Sequence, residues 1–163
     1  MNISTLFNLL NEDLGREFAH WHFYQNAATS IRGLHREEIS EFLLKEAAGE
    51  QKHIEQFQRM LHGIKTRRGI ETQISSTALA TEYKVGYTKP EDILTFALQM
   101  EEKVVQNYVL RIEDCEKLYS AGEIEDKVDG KYIELFLEDQ ILDSRTDADH
   151  IREMLEDLTG YSG

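Results

Sequence analysis

The sequence predicts an all-α fold, a bundle of four helices made of two antiparallel hairpins that are joined by a long crossover. Four long segments carry apolar residues three or four positions apart, which is the spacing of an amphipathic helix. The chain of 163 residues contains a single proline, so little interrupts those segments. One stretch in the middle of the chain lacks the pattern. These observations favour helices over strands and indicate how the helices connect.

The first two helices are predicted over about Ile3 to Leu34 and about Glu37 to Ile64. The apolar positions that define them are Leu6, Leu10, Leu14, Phe18, Tyr24 and Ile31 in the first, and Ile39, Leu43, Ala47, Ile54, Phe57 and Leu61 in the second. Gly33 lies between the two helices, where a glycine can adopt the left-handed conformation that ends a helix. Because this connection is short, the two helices are expected to form an antiparallel hairpin.

The third helix is predicted over about Glu91 to Tyr119 and the fourth over about Lys131 to Leu158. Residues 88–91 read as a capping box with a proline in the first turn, so the third helix starts there. Residues 122–130 are a polar break that would join the second hairpin. Residues 65–89, roughly 25 in number, are long enough as an extended chain to return along the bundle. This is the crossover.

Length and charge exclude several classes of protein. A chain of this size is expected to form one domain, here residues 1–163. With 31 acidic and 18 basic residues the formal charge is −13, which argues against binding to nucleic acid or to an anionic membrane and favours cations. The only cysteine, Cys115, excludes a disulfide framework and is expected to be a buried small hydrophobe. The sequence shows no signal peptide and no membrane span, so we expect a cytoplasmic protein.

Each predicted helix places an acid inside its apolar stripe. These acids are Glu17, Glu50, Glu101 and Asp147. A carboxylate buried without a partner costs several kcal/mol, so four that face one interior require compensation. Cations supply it, and oxygen and imidazole ligands suit iron, manganese or zinc. The alternative is that these acids are paired with a nearby histidine or lysine, or lie on a solvated face.

The spacing within each helix completes a ligand set. Glu50 and His53, and likewise Asp147 and His150, are three residues apart and share a helix face. On the other two helices a single acid is followed seven residues later by a tyrosine, namely Tyr24 and Tyr108. The chain therefore divides into two related halves. The predicted metal ligands are Glu17, Glu50, His53, Glu101, Asp147 and His150, a set typical of di-metal carboxylate bundles.

Four segments carry a resemblance to a known family. LNEDLGREFAHWHFY (residues 10–24) and EQKH (50–53) resemble the first two helices of bacterioferritins, and DADHIREMLEDL (147–158) resembles their fourth. ALQMEEKVVQNY (97–108) is closer to the third helix of rubrerythrins. The chain is thus similar to the ferritin-like superfamily, and most similar to bacterioferritin and ferritin. This implies a ferritin-like four-helix bundle.

The departures from the family pattern are informative. Asp147 stands where the family has glutamate, which makes Asp143, one turn earlier, a rival ligand. Gln51 replaces the methionine that would ligate haem, so no haem is expected. The cysteine pairs of a full rubrerythrin are absent from the sequence.

The resemblance implies two iron ions per chain, with manganese possible, and oxidation of Fe(II) by dioxygen or hydrogen peroxide. Iron storage in a homo-oligomer, a dimer or a larger shell, would follow. Tyr24 and Tyr108 would then act in redox chemistry or hydrogen bonding near the metals, although tyrosines at such positions are also common as core aromatics. The alternatives are a peroxidase or substrate oxidase that uses the same centre, and a structural bundle whose metal site is degraded.

Overall fold

The computed structural model describes residues 1–79, 86–120 and 122–160. These residues form four helices: α1 (Ile3–Ser30), α2 (Arg36–Arg68), α3 (Pro90–Ser120) and α4 (Ile124–Gly160). The predicted all-α bundle of four helices is confirmed, and no strand occurs in the described residues. None of the four helices carries the apolar stretch that crossing a membrane requires.

Three helix ends differ from the sequence prediction. α1 ends at Ser30 rather than near Leu34, and α2 continues to Arg68, four residues past Ile64. The last turn of α2 contains three basic residues, which the helix dipole favours there, and it closes on Gly69 at φ 65°. α4 begins at Ile124 instead of Lys131, so most of the predicted polar break is helical.

The helices pair as two antiparallel hairpins. In the first, Ser40 Oγ of α2 donates to Ala28 O of α1 at 2.7 Å. In the second, the guanidinium of Arg152 on α4 donates to Glu102 Oε1 of α3 at 2.7 Å. A second contact in each hairpin gives the direction, because Glu50 interacts with Glu17 and the hydroxyl of Tyr119 donates to Glu134. In both hairpins the residue numbers rise on one helix as they fall on the other, which defines an antiparallel pair.

The crossover runs along α1 in the same direction as that helix. Asn11 accepts a hydrogen bond from Ser75 N at 2.7 Å, and Gly15 O accepts one from Leu79 N at 3.0 Å. At the other end of α1, Arg32 N donates to Thr88 O at 2.9 Å. These contacts follow the length of α1 from one end to the other. The long crossover predicted from the sequence is therefore confirmed.

The core consists of two apolar clusters with a polar layer between them. The lower cluster contains Leu6, Leu10, Leu14, Phe57, Leu61, Ile133 and Leu137. The upper cluster contains Phe23, Ala27, Ile39, Leu43, Leu94, Ala97 and Ile151. On every helix the residues between the two clusters include the acids that interrupt the apolar stripe. The fold thus holds a layer of carboxyl groups at mid-height, closed off by hydrophobic side chains above and below.

Candidate metal centre

Among the residues that the structure describes, two groups of three potential ligands form in the polar layer. The first group is Glu17 of α1 with Glu50 and His53 of α2. The second group is Glu46 of α2, Glu101 of α3 and Asp147 of α4. Within each group one ligand atom from every residue lies within 4.8 Å of the others. Each group is therefore compact enough for its three side chains to hold a common cation.

The carboxyl groups of this layer are shifted strongly toward their protonated forms. Burial is the main cause, and it raises the pKa of Glu50 and of Glu101 to about 8 and that of Glu46 to about 9. Burial also raises the pKa of Glu17 well above its usual range, and the neighbouring charge of Glu50 adds to the shift. Without a cation, these groups retain protons at neutral pH because burial disfavours the charged carboxylate, and repulsion between neighbouring acids adds to this.

One oxygen atom in the layer has no hydrogen-bond partner among the described residues. It is Oε2 of Glu50, a residue only 4% exposed. The Nδ1 atom of His53 lies 3.8 Å from it, beyond hydrogen-bond range. The charges of Glu46, Glu101 and Asp147 also raise the pKa of Glu50, so this carboxyl group lies within electrostatic reach of the second group. An unsatisfied buried oxygen among carboxyl groups fits a cation as its missing partner.

Two tyrosines join the helices across this layer in a reciprocal arrangement. Tyr24 of α1 donates its hydroxyl to Glu101 Oε1 of α3 at 2.7 Å. Tyr108 of α3 donates its hydroxyl to Glu17 Oε1 of α1. Each tyrosine lies seven residues after the glutamate of its own helix, and antiparallel packing of α1 on α3 brings it to the glutamate of the other. The matched spacing in the sequence thus becomes a pair of crossed hydrogen bonds.

His53 is positioned by a carboxylate on α4. Its Nε2 atom lies 3.1 Å from Asp143 Oδ2. A carboxylate on one ring nitrogen fixes the orientation of the imidazole and favours the other nitrogen as a ligand. Asp143, the rival of Asp147 in the sequence, therefore contacts His53, whereas Asp147 joins the second group. Aspartate is shorter than the glutamate of the family pattern, but Asp147 still reaches the second group.

The structure brings together five of the six predicted ligands and leaves His150 outside both groups. The ring of His150 is exposed and stacks on Phe42, with centroids 5.0 Å apart and planes at 10°. The residue that sequence reasoning missed is Glu46. Glu46 lies one helical turn before Glu50 on the same face of α2, and this spacing in the sequence could have indicated it.

Two further residues lie where the sequence places them in the interior. His20 is buried one turn after Glu17, and its charge lowers the pKa of Glu17. Cys115 is buried and forms no disulfide.

Comparison with known proteins gives one family and two informative structures. The model of the ferritin-like domain family matches residues 7–122. A ferritin-like, diiron-carboxylate protein from Bacillus anthracis str. Ames is 20% identical, with a TM-score of 0.71, over 95% of this chain and 99% of that chain. A dodecameric thioferritin from Bacteroides fragilis, described as bacterioferritin-related, is 16% identical, with a TM-score of 0.59, over 95% and 90%. Comparison with curated proteins gives no match.

Proposed function

Because the chain belongs to the ferritin-like domain family, we propose that it is a non-haem di-iron protein that oxidises Fe(II) with dioxygen or hydrogen peroxide. The observation that carries the proposal is the pair of ligand groups in the closed polar layer, with the unpartnered Glu50 oxygen within electrostatic reach of both. A structural role alone would not require five carboxyl groups at mid-height in the core, since burying them is costly.

The proposed ligands divide between two positions. Glu17, Glu50 and His53 would hold one ion, and Glu46, Glu101 and Asp147 the other. This mixture of oxygen and imidazole donors suits iron, with manganese as a competitor. Bound there, each Fe(II) would supply one electron, so that two reduce one dioxygen to peroxide, or one peroxide to two waters with two protons.

The chain's own residues would hold and move protons during this chemistry. Carboxyl groups of the layer that are protonated must release their protons when a cation binds, because only the carboxylate is a ligand. Tyr24 and Tyr108 would orient Glu101 and Glu17 through their hydroxyl groups. The apolar clusters above and below the layer exclude water, which strengthens the interaction of carboxylates with a highly charged ion.

The test is an anaerobic titration of the purified, metal-free protein with Fe(II), followed by calorimetry and by metal analysis after desalting. We expect saturation at two ions per chain. Glu50→Gln should abolish binding of at least one ion, because it removes a ligand that lies within reach of both groups. The matched control is Glu55→Gln, an exposed acid of the same helix that pairs with Arg59. That variant should bind as the unaltered protein does.

Oxidation is tested by adding oxygen or peroxide to the loaded protein and following the ferric absorbance. Consumption of one dioxygen or one peroxide for two Fe(II) would identify the oxidant. No saturable Fe(II) binding would refute the proposal and favour a degraded site. Wild-type binding by Glu50→Gln would refute the proposed ligand groups. Turnover of peroxide without net loss of Fe(II) would instead favour the peroxidase alternative.

Iron storage in a homo-oligomer completes the proposal. The relative from Bacteroides fragilis is described as a dodecamer, and a formal charge of −13 would attract Fe(II) to an assembly of such chains. Sedimentation velocity of the full chain, before and after loading with excess iron, measures both the assembly and any mineral. A mass equal to one chain at all concentrations would refute this part.

A further inference from the structure

A stripe of exposed apolar residues runs along α4. It consists of Ile124, Val128, Tyr132, Leu135 and Leu142, which we call the α4 seam, and each is between 45% and 76% exposed. Val128, Leu135 and Leu142 are spaced seven residues apart. This is the heptad spacing that keeps one row of side chains facing a partner helix. The seam spans 19 residues of α4, or about 27 Å.

The seam points directly away from the bundle. At 100° per residue, Leu135 is on the opposite side of the helix from the buried Ile133, Leu137 and Ser144. α2 and α3, which pack on that buried side, therefore do not obstruct the seam. A second helix could lie along it without any change in the chain.

Charged residues are segregated on the two sides of the seam. One side carries Lys127, Lys131 and Arg145, together with Glu138, and the other carries Glu125, Asp139 and Asp143. All seven are exposed. Lys131 also pairs with Glu134 of its own helix at 3.0 Å, and Asp143 contacts His53. One flank is thus predominantly basic and the other is acidic.

We propose that a second copy of this chain packs on the α4 seam, with the two α4 helices parallel and related by a two-fold axis along them. In that arrangement each seam residue meets its own counterpart, and the basic flank of one copy meets the acidic flank of the other. Lys127 would lie at nearly the height of the partner subunit's Glu125, and Arg145 at nearly that of the partner subunit's Asp143. An antiparallel pair would place each flank against a flank of its own sign, which electrostatic repulsion disfavours.

Disulfide trapping tests the arrangement in the full-length protein. The natural Cys115 is buried and does not interfere. Under mild oxidation, Val128→Cys and Leu142→Cys should each yield a covalent dimer on a non-reducing gel, because each position meets itself. Leu34→Cys, at a 93% exposed position in the α1–α2 connection, is the control and should stay uncrosslinked. The proposal is overturned if neither seam variant forms a covalent dimer. It is also overturned if only Leu135→Cys forms one, which is the result expected of an antiparallel pair.

The mass of the assembly provides a second measurement. Leu135→Lys should lower it at least twofold in sedimentation velocity, whereas Leu34→Lys should leave it unchanged. Both positions are exposed, so neither variant should lose helicity by circular dichroism. The proposal rests on the proposed homo-oligomer but not on its metal chemistry. An unchanged mass for Leu135→Lys would overturn the seam and leave both the oligomer and the Fe(II) titration standing.

Discussion

Glu46 and His150 are the two residues that compete for the role of third ligand in the second group. One carboxylate oxygen of Glu46 lies within 4.8 Å of a ligand atom of both Glu101 and Asp147. His150 has the spacing that a ligand of that group would need, yet its ring stacks on Phe42. Burial raises the pKa of Asp147 and the charge of His150 lowers it, so His150 lies near that acid. Glu46 and His150 are therefore both candidates for the third ligand.

The first prediction distinguishes these residues. Glu46→Gln should lower the number of Fe(II) ions bound per chain from two to one, because an amide cannot replace the charge of a carboxylate ligand. His150→Ala should still bind two. Calorimetry and metal analysis measure the stoichiometry. Loss of an ion only in His150→Ala would instead support the ligands that the sequence predicts for the second position.

The second prediction concerns the crossed tyrosines. Tyr108→Phe removes the hydroxyl that donates to Glu17, and Tyr24→Phe removes the one that donates to Glu101. Both variants should still bind two ions, but with an affinity about 10–100-fold lower, since partners of metal ligands typically contribute that much. Tyr87→Phe is the control, because Tyr87 lies outside both groups and packs on Phe96. Equal affinities in all variants would contradict the proposed orienting role.

At the scale of helices, Gly130 determines how closely α3 and α4 approach. A Cβ atom at this position would lie 2.8 Å from Cβ of Tyr119 and 3.1 Å from the carbonyl oxygen of Cys115. Such distances require the helices to separate. The glycine therefore serves the packing of the second hairpin, against the general preference of a helix for alanine.

The third prediction follows from this close approach. Gly130→Ala should destabilise the protein by about 1–3 kcal/mol because the added methyl group overpacks the contact. Gly49→Ala, within α2 and with nothing within 4 Å of its Cβ position, should stabilise it by about 0.5–1 kcal/mol through helix propensity alone. Urea unfolding of the metal-free protein measures both. A stabilised Gly130→Ala would show that the two helices adjust without cost.

The start of α4 shows why sequence patterning alone misplaces a helix end. Residues 122–130 are polar and contain two glycines, so they read as a break. In the structure, the carboxylate of Asp129 accepts from Arg67 and Arg68 of α2 at 2.7 Å, and Asp126 also pairs with Arg68. These tertiary ion pairs hold the first turns of α4 as helix. No local pattern reveals them, because the partners are some 60 positions apart.

At the scale of the whole molecule, the polar layer links stability to pH. Glu50 and Glu101, with pKa values of about 8, and Glu46, with a pKa of about 9, hold protons in the folded, metal-free state, but in the unfolded chain they ionise near 4.5. Where the folded state binds more protons than the unfolded state, stability falls as the pH rises. The stability that these three protonated groups contribute is fully present below pH 4.5 and is lost as the pH rises through 8 to 9.

The fourth prediction is a pH profile of thermal stability. In chelator, the melting temperature should fall between about pH 5.5 and 9, and Glu50→Gln should flatten the profile because the amide does not titrate. Fe(II) or Mn(II) should reverse the trend, since binding displaces protons and strengthens as the pH rises. Differential scanning fluorimetry at constant ionic strength measures both profiles. A flat profile for the metal-free protein would refute the buried, protonated layer.

The sequence could predict those parts of the molecule that depend on helical periodicity. That periodicity yields the four helices, the crossover, and the positions of Glu17, Glu50 and Glu101 in the interior. It could not predict the crossed partners of Tyr24 and Tyr108, because their meeting depends on how α1 packs on α3. It also could not show that the ring of His150 stacks on Phe42, since i to i+3 spacing puts a residue near a helix face but does not decide what its side chain contacts. The role of His150 as a ligand stays a prediction.

The two ligand groups differ in how much of the chain they need. Glu17, Glu50 and His53 all lie within the α1–α2 hairpin, whereas Glu46 and Asp147 of the second group are 101 positions apart. During synthesis at about 5–20 residues per second, the first group would therefore leave the ribosome roughly 5–20 s before Asp147. The side chains that orient the first group are made much later, however, because Tyr108 lies on α3 and Asp143 on α4. Both positions therefore reach their described geometry only after α4 has been synthesised, and we expect them to become available for metal together.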